Sequence, residues 1–290
     1  MAGGAVARKP VAAAHVRPAR ARLARWVLPV YTGMAVTYLL LPIAVMILFG
    51  FNDNQGRFNF NWQGFTLRHW QDAFRFPAMV AALEVSLVVA VVSTLAATAL
   101  GTLIGLALTR YSFRGRGPLN LLIFLPIATP EIVLGAALLS LFVTAGVSRD
   151  ITTITIAHIM FNVSYVVVTI RARIAGFERS LEEAAMDLGA TEWTTFWKVT
   201  FPLIFPGILA AGLLAFALSI DDFVITQFNA GQTVTFPLWV FGASRIGVPP
   251  QVNVMGTIIF AVALLAVGGF TLLQRRGDRP APPPTSAAQG

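Results

Sequence analysis

Three acidic residues lie well inside long apolar stretches of the sequence, away from their starts, and are the side chains best placed to do chemistry. Glu131 stands about twelve residues into the stretch 119–144, and Asp221 and Asp222 lie towards the end of the stretch 203–226. Ionisable residues in such surroundings usually line a water-filled path or find a partner within a helical bundle. If they face a path, these carboxylates would attract a cationic solute and would offer little to an anionic one.

Glu131 also has a structural explanation. The sequence Thr129-Pro130-Glu131 fits the N-cap and the first two positions of a helix that restarts inside the membrane. The break before it is expected after Pro126. The freed amides at such a helix start would stabilise the carboxylate. The pattern leaves both explanations open, a helix break and a substrate path.

Asp221 and Asp222 also allow two explanations, a substrate path and a structural role. Because adjacent residues on a helix point in different directions, only one of the two is expected to face a path. Asp222 shares a stripe with Ser219 and Thr226. The alternative is solvation at the outer interface or an ion pair with Arg245.

A polar stripe runs along the apolar stretch 151–170. It consists of His158, Asn162 and Tyr165, which are spaced four and three residues apart and therefore share one helical face. These side chains could line the same path or make hydrogen bonds between helices. They supply no convincing nucleophile, metal cluster or acid–base pair, so the sequence does not favour an enzyme.

The elements that must position these residues are membrane-spanning helices. Hydrophobic residues make up 56% of the chain and charged residues only 12%, against about a quarter in a soluble domain. The mean hydropathy is +0.73. A spanning helix needs about 20 mostly apolar residues. Six stretches meet this requirement and predict an all-α polytopic membrane protein: 27–49, 80–109, 119–144, 151–170, 203–226 and 252–273.

The basic residues set the expected orientation. Of the 21 Lys and Arg residues, 16 fall on one side of the six spans, which predicts that both termini are cytoplasmic. The positive charge is spread over several loops, and the sequence has no known nucleic-acid recognition motif. Both observations argue against nucleic-acid binding. The absence of Cys excludes disulfides, iron–sulfur clusters and Cys-based zinc sites.

The remaining sequence divides around the helical core. Residues 1–26 and the Pro-rich segment 275–290 are predicted to be disordered cytoplasmic tails, because both are poor in bulky apolar residues. The first span, 27–49, leads into an outer loop, 50–79, that is rich in aromatic residues and precedes the membrane core 80–274. The aromatic residues of this loop could form an interfacial belt or a docking surface for an extracellular partner.

The cytoplasmic loop 177–202 has the pattern of a helical hairpin. Ser180 and Glu183 fit a capping box at the start of its first helix. Gly189 suits the left-handed position that ends a helix. Thr191 can cap the second helix.

The second helix of this hairpin is expected to stop at Pro202, before the fifth span. Phe196 would anchor it to the membrane domain. The small residues Ala184 and Ala185 of the first helix would let another surface approach closely. A plain connecting loop would need none of these features.

The same loop carries a recognisable motif. Glu183-Ala184-Ala185, Gly189 and Pro202 resemble the EAA loop of permease subunits of ATP-binding cassette importers, in which this loop seats a coupling helix in a groove of the ATPase. The resemblance implies the type I importer permease fold, with six spans and a cytoplasmic coupling-helix hairpin. It also implies that these residues contact the ATPase.

Residues 80–273 extend the resemblance to the second permease of spermidine and putrescine importers. The motifs are Pro130-Glu131-Ile132-Val133, Ser219-Ile220-Asp221-Asp222 and Gly247-Val248-Pro249-Pro250. A polyamine suits the acidic residues of the spans, because each desolvated amine needs a carboxylate or an aromatic face. Permeases for ferric iron, thiamine or phosphonates share parts of these motifs and remain alternatives.

The sequence contains no phosphate-binding loop of the form G-x-x-x-x-G-K-[ST], so ATP hydrolysis is expected in a partner, and no cofactor is expected in this chain. The resemblance implies two ATPase subunits, a second homologous permease, an extracytoplasmic solute-binding protein and a place in a bacterial inner membrane, in contact with lipid. An ion-coupled secondary transporter could also use buried carboxylates, but it would usually show inverted repeats.

Overall fold

The computed structural model describes residues 18–176 and 179–277, and this part of the chain is built from helices. Its only extended pairing is an isolated antiparallel bridge between Asn52 and Phe65. The elements are α1 (Pro18–Phe49), α2 (Arg68–Gln71), α3 (Pro77–Arg110), α4 (Arg116–Ala128), α5 (Glu131–Thr144), α6 (Ile151–Ala175), α7 (Ser180–Asp187), α8 (Glu192–Thr195), a π-helical turn (Phe196–Thr200), α9 (Phe201–Ile220), α10 (Val224–Asn229), α11 (Phe236–Ile246) and α12 (Pro250–Gly277).

Five helices of the described chain are long and apolar enough to cross a membrane. They are α1, α3, α6, the continuous helix Glu192–Ile220 and α12. α4 and α5 meet this test only together, and they are bent by 111° at the break between them. If this bent pair is counted as one span, the structure has the six spans that the sequence predicts. The all-α fold class is confirmed.

The centre of the fold is formed by α3, α6 and α9, which all contact one another. α3 and α6 approach closely at two glycines of the sequence Gly101-Thr-Leu-Ile-Gly105. A Cβ on Gly101 would lie 2.6 Å from Cγ1 of Val166, and one on Gly105 would lie 3.0 Å from Cγ2 of Ile170. Small residues let two helical backbones approach in this way, so these glycines serve helix contact.

α1 lies at the edge of the bundle. It contacts the rest of the molecule along α12, and its most apolar stretch contains no buried residue. Large apolar side chains are also exposed on other helices, for example Leu95 on α3 and Leu121 on α4. In a chain of this composition, such surface must be covered by lipid or by partner helices.

Two helices extend beyond the boundaries predicted at the ends of the chain. α1 begins at Pro18, so residues 18–26 belong to a helix and not to the predicted disordered tail. α12 continues to Gly277, past the predicted end of the core at 274. Ala, Arg and Gln are good helix formers, so both helices extend beyond their apolar stretch. Residues 1–17 and 278–290 of the predicted tails lie outside the described residues.

The predicted break in the third span is confirmed, but its cap is not. α4 ends at Ala128, and α5 begins at Glu131 with Pro130 at the N-cap. Thr129 does not cap α5, because its hydroxyl donates a hydrogen bond back to the carbonyl oxygen of Leu125 at 2.6 Å. A break falls here because the residue before a proline is pushed out of the helical conformation.

The fifth span is also broken, although the sequence predicts a continuous helix to Thr226. α9 ends at Ile220, and α10 begins at Val224. The cause is Asp222, whose carboxylate accepts a hydrogen bond from the backbone N–H of Thr226 at 2.8 Å. Asp side chains compete with the backbone in this way and favour helix starts over helix interiors.

One end of the bundle is covered by the loop 50–76 and by α11. In the loop, Phe51 is stacked between Phe65 and Trp70, with ring centroids 5.5 and 4.9 Å apart. α11 is joined to α3 by a hydrogen bond of 2.8 Å from the backbone N–H of Phe236 to the hydroxyl of Ser86. No prediction from the sequence anticipated α11.

Candidate translocation site and coupling surface

A buried polar network joins α3, α6 and the broken fifth span. His158 on α6 is 2% exposed, and its Nδ1 lies 2.6 Å from the hydroxyl oxygen of Ser219. Its Nε2 lies 3.0 Å from the hydroxyl oxygen of Thr226. The hydroxyl oxygen of Ser219 is also 3.0 Å from that of Ser93 on α3. His158 therefore makes the interhelical hydrogen bonds that were one of its two predicted roles.

Asp222 belongs to the same network. One of its carboxylate oxygens lies 3.3 Å from Nε2 of His158 and accepts hydrogen bonds from the backbone N–H and the hydroxyl of Thr226, both at 2.8 Å. Its side chain is only 7% exposed. Arg245, the alternative partner, instead places its guanidinium carbon 4.6 Å from the ring centroid of Phe241. Asp222 thus bonds to the first turn of α10 from inside the bundle.

Asp221 stands beside this network but is exposed. It lies at the C-terminal end of α9, in the short segment between the two halves of the fifth span. The ring of Phe223 in the same segment packs 4.6 Å from that of Phe241 on α11. The carboxylate of Asp222 therefore makes hydrogen bonds inside the bundle, whereas that of Asp221 is exposed.

Glu131 is exposed at the N-terminus of α5. The backbone N–H groups that follow it, of Val133 and Leu134, are bonded to the carbonyl oxygen of Pro130 at 2.9 and 3.1 Å. The positive end of the helix favours an ionised carboxylate at this position. Glu131 forms no ion pair with any described residue within 4 Å, so its charge remains open to a cation.

The other two residues of the polar stripe on α6 differ from His158. Asn162 is fully buried, and neither its amide nitrogen nor its amide oxygen has a hydrogen-bond partner among the described residues. Tyr165 is half-buried, with its ring centroid 4.9 Å from that of Phe161. The stripe predicted as one face therefore contains three different environments.

The predicted cytoplasmic hairpin is present between Arg179 and Thr200. α7 ends before Gly189, which adopts a left-handed conformation with φ of 88°. Thr191 caps α8, because its hydroxyl accepts a hydrogen bond from the backbone N–H of Thr194 at 3.3 Å. Residues 177 and 178 of the predicted loop lie outside the described residues.

Two details of the hairpin differ from the prediction. Ser180 is the first residue of α7 and not its N-cap, a position that Arg179 occupies. Pro202 does not stop the second helix, because α8, the π-helical turn and α9 form one continuous helix. Pro202 lies in the first turn of α9, where its missing N–H is tolerated next to the π-helical turn.

The outward face of the hairpin is open for a partner. Glu183, Ala184 and Gly189 are exposed, and Ala185 is half-buried. Leu188 beside them is 89% exposed. An exposed leucine beside small residues would let another protein surface approach closely.

Aromatic rings pack against one another along the continuous helix that joins the second half of the hairpin to the fifth span, so the anchoring role of Phe196 stays a prediction. The ring centroid of Phe196 lies 5.2 Å from that of Trp197, and the ring of Trp197 lies 4.9 Å from that of Phe201. Phe196 itself is half-buried. Such aromatic pairs stabilise the start of the fifth span.

Comparison with known proteins identifies the family. A family model described as the inner membrane component of binding-protein-dependent transport systems matches residues 97–276. The chain belongs to this family. It is a multi-pass inner membrane permease of an ATP-binding cassette importer, with the type I fold.

Curated relatives of this permease are named for polyamine transport. It is 36% identical over 239 residues to the spermidine/putrescine transport system permease protein PotC of Escherichia coli K12, covering 82% of this chain and 90% of PotC. It is also 36% identical over 251 residues to the putrescine transport system permease protein PotI of the same organism, covering 83% of this chain and 89% of PotI.

A solved structure supports the fold of the permease. A chain of a bacterial ABC transporter that imports the acidic polysaccharide alginate superposes with a TM-score of 0.66 at 16% identity. The match covers 91% of this chain and 100% of that one. At this identity the likeness concerns the fold alone.

The structure adds three residues of the permease that sequence reasoning missed. The carboxylate of Glu182 on α7 accepts hydrogen bonds from the guanidinium of Arg110 and from the hydroxyl of Thr200. Motif reasoning attended to Glu183 and passed over its neighbour. No local pattern indicated this role, because the partners of Glu182 are 72 and 18 residues away in the sequence.

The permease also has an open cavity of about 1000 Å³ between the loop 50–76, α11 and the start of α12. His69 lines it and is 4% exposed, and its Nδ1 lies 3.4 Å from the amide nitrogen of Gln251. Burial lowers the pKa of His69 below its usual value, and the charge of Arg68 lowers it further. His69 is therefore neutral at physiological pH.

Proposed function

We propose that this permease carries a polyamine, spermidine or putrescine, into the cytoplasm, driven by ATP hydrolysis in partner subunits. The observation that carries the substrate assignment is the 36% identity to PotC over 82% of the chain. The related permeases for ferric iron, thiamine or phosphonates are the alternatives.

The exposed carboxylates support a cationic substrate. Glu131 and Asp221 both stand at breaks in apolar spans, where an exposed charge is costly unless it serves a path. A linear polyamine can offer one ammonium group to each carboxylate, and ring faces such as that of Phe223 can accept another. A phosphonate anion would instead be repelled by both charges.

The exposed surfaces support the following arrangement of partners. Two copies of the ATPase would bind the hairpins of two permeases, here through the face that includes Glu183, Ala184 and Gly189. The second permease would cover apolar surface of the bundle and complete the path. An extracytoplasmic solute-binding protein would deliver the polyamine to the outer side, and both termini would lie in the cytoplasm.

The test is uptake of labelled spermidine and putrescine by bacteria that lack this chain. Re-expressed wild-type permease should restore uptake, and Asp221→Asn or Glu131→Gln should lower it about tenfold, a loss equivalent to ~1.4 kcal/mol. Glu84→Gln is the matched control, because Glu84 is an exposed carboxylate at the outer start of α3. Equal uptake in wild type, Asp221→Asn and Glu131→Gln would contradict the proposed path.

The energy source and the substrate can be tested separately. Uptake should stop when ATP is depleted and should survive collapse of the ion gradient, whereas a secondary transporter would behave in the opposite way. If wild type restores no polyamine uptake but co-purifies with an ATPase, the importer architecture is supported and the substrate assignment is wrong.

A further inference from the structure

The first helix of the hairpin has little apolar attachment to the rest of the permease. None of the residues of α7 is buried, and Leu181 and Leu188 are 50% and 89% exposed. Apolar burial usually supplies most of the free energy that holds a helix in place. The position of α7 must therefore depend strongly on polar contacts.

One such polar contact is made by Glu182, whose side chain is 12% exposed. Its Oε1 accepts hydrogen bonds from Nη2 of Arg110 and from the hydroxyl of Thr200. Nη2 of Arg110 also lies 3.4 Å from the hydroxyl oxygen of Thr200. These three residues, which we call the cytoplasmic clasp, join the end of α3, the first turn of α7 and the π-helical turn before α9.

The clasp connects the hairpin to two long helices. Arg110 is the last residue of α3, and Thr200 directly precedes α9. Thr200 is 1% exposed, so its position is fixed by packing and by the π-helical turn, a feature that is frequent at functional sites. A displacement of α7 would therefore also displace the end of α3 and the start of α9.

α3 extends from the clasp to the buried polar network. Ser93, whose hydroxyl oxygen lies 3.0 Å from that of Ser219, is 17 residues from Arg110, or about 26 Å along the helix. Ser219 belongs to the last turn of α9, two residues before Asp221. The close contact of Gly101 with Val166 ties α3 to α6 between these two ends.

We infer that Arg110, Glu182 and Thr200 transmit the ATP-driven movement of the hairpin through α3 and α9 to the break in the fifth span at Asp221. They are positioning residues, because in this inference they act through the helices that they join. The inference rests on the proposed function, in which an ATPase moves the hairpin.

The absence of Cys from the sequence allows a clean test. The variant Asp221→Cys is introduced, and the whole transporter complex is purified from the native membrane through a tag on this chain. Its labelling by a membrane-impermeant maleimide is measured without nucleotide and with ATP and vanadate. With an intact clasp, the labelling rate should change between the two states by about fivefold or more.

Variants that disrupt the clasp should remove the nucleotide-dependent change in labelling rate. In the Asp221→Cys background, Glu182→Gln and Thr200→Val should abolish most of the nucleotide-dependent change, while the ATPase rate stays within about twofold of the intact clasp. Thr200→Ser keeps the hydroxyl and should keep the response. Arg114→Gln is the matched charge control, because Arg114 is exposed in the same cytoplasmic region.

The outcomes separate this inference from the proposed function. If Glu182→Gln and Thr200→Val respond like the intact clasp, the clasp does not transmit the movement. If Glu182→Gln only loses the ATPase from the complex while Thr200→Val responds normally, the clasp serves docking and the inference is equally wrong. If labelling is insensitive to nucleotide even with an intact clasp, the proposed ATP-driven cycle is wrong, and the inference falls with it.

Discussion

His158 and Asp222 lie 3.3 Å apart inside the helical bundle, although they are distant in the sequence. This contact draws one of two adjacent carboxylates away from the surface, and Asp221 is left exposed. The break in the fifth span has the same origin, since Asp222 bonds to the start of α10. One pair of residues therefore sets both the shape of the span and the charge that it presents.

Asp222 should contribute to stability and Asp221 should not. Asp222→Ala removes the hydrogen bonds from Thr226 at the start of α10 and should lower the free energy of unfolding by about 1–2 kcal/mol. Thermal unfolding of the purified complex measures this loss. Asp221→Ala is the control and should unfold near the wild-type temperature. Equal destabilisation by the two substitutions would show that Asp222 has no special place in the bundle.

Gly101 should tolerate no side chain. In Gly101→Ala the new Cβ would lie 2.6 Å from Cγ1 of Val166, so α3 and α6 must separate, at a cost of about 1–3 kcal/mol. Thermal unfolding in detergent checks the effect. Gly117→Ala is the matched control, because no atom lies within 4 Å of a Cβ at Gly117. A wild-type unfolding temperature for Gly101→Ala would contradict the close packing of the two helices.

Gly189 should be required for the shape of the hairpin. Its φ of 88° strains any other residue, so Gly189→Ala should destabilise the turn by about 1–2 kcal/mol even though the space around Cβ is open. The measurements are co-purification of the ATPase and uptake of substrate, and both should fall. Gly268→Ala is the control, since Gly268 also has open space but no positive φ. If both alanine variants behave like wild type, the turn does not matter for coupling.

His69 should make stability depend on pH. Its pKa is lower in the folded protein than in the unfolded chain, so the unfolded chain binds more protons as the pH falls below about 6.5. Stability is therefore fully present above that pH and is lost at acidic pH. Unfolding temperatures at about pH 7.5 and pH 5.5 should differ more for wild type than for His69→Gln. If the unfolding temperatures of wild type and His69→Gln changed equally with pH, His69 would not be the cause of the pH dependence.

The sequence by itself determined the features that depend on local composition. The apolar stretches predict six spans, because about 20 apolar residues cannot be hidden in a small soluble core. Pro130 predicts the break in the third span, since proline restricts the residue before it. Gly189 predicts the turn of the hairpin, because glycine adopts a positive φ without strain.

Only the tertiary structure decided which polar side chains meet. Arg110 and Glu182 are 72 residues apart, and no local pattern records that the end of α3 reaches the first turn of α7. The separation of Asp221 from Asp222 likewise depends on His158, which a neighbouring helix brings within 3.3 Å. The physical reason is that helix rotation and crossing are set by packing between distant residues, such as Gly101 against Val166.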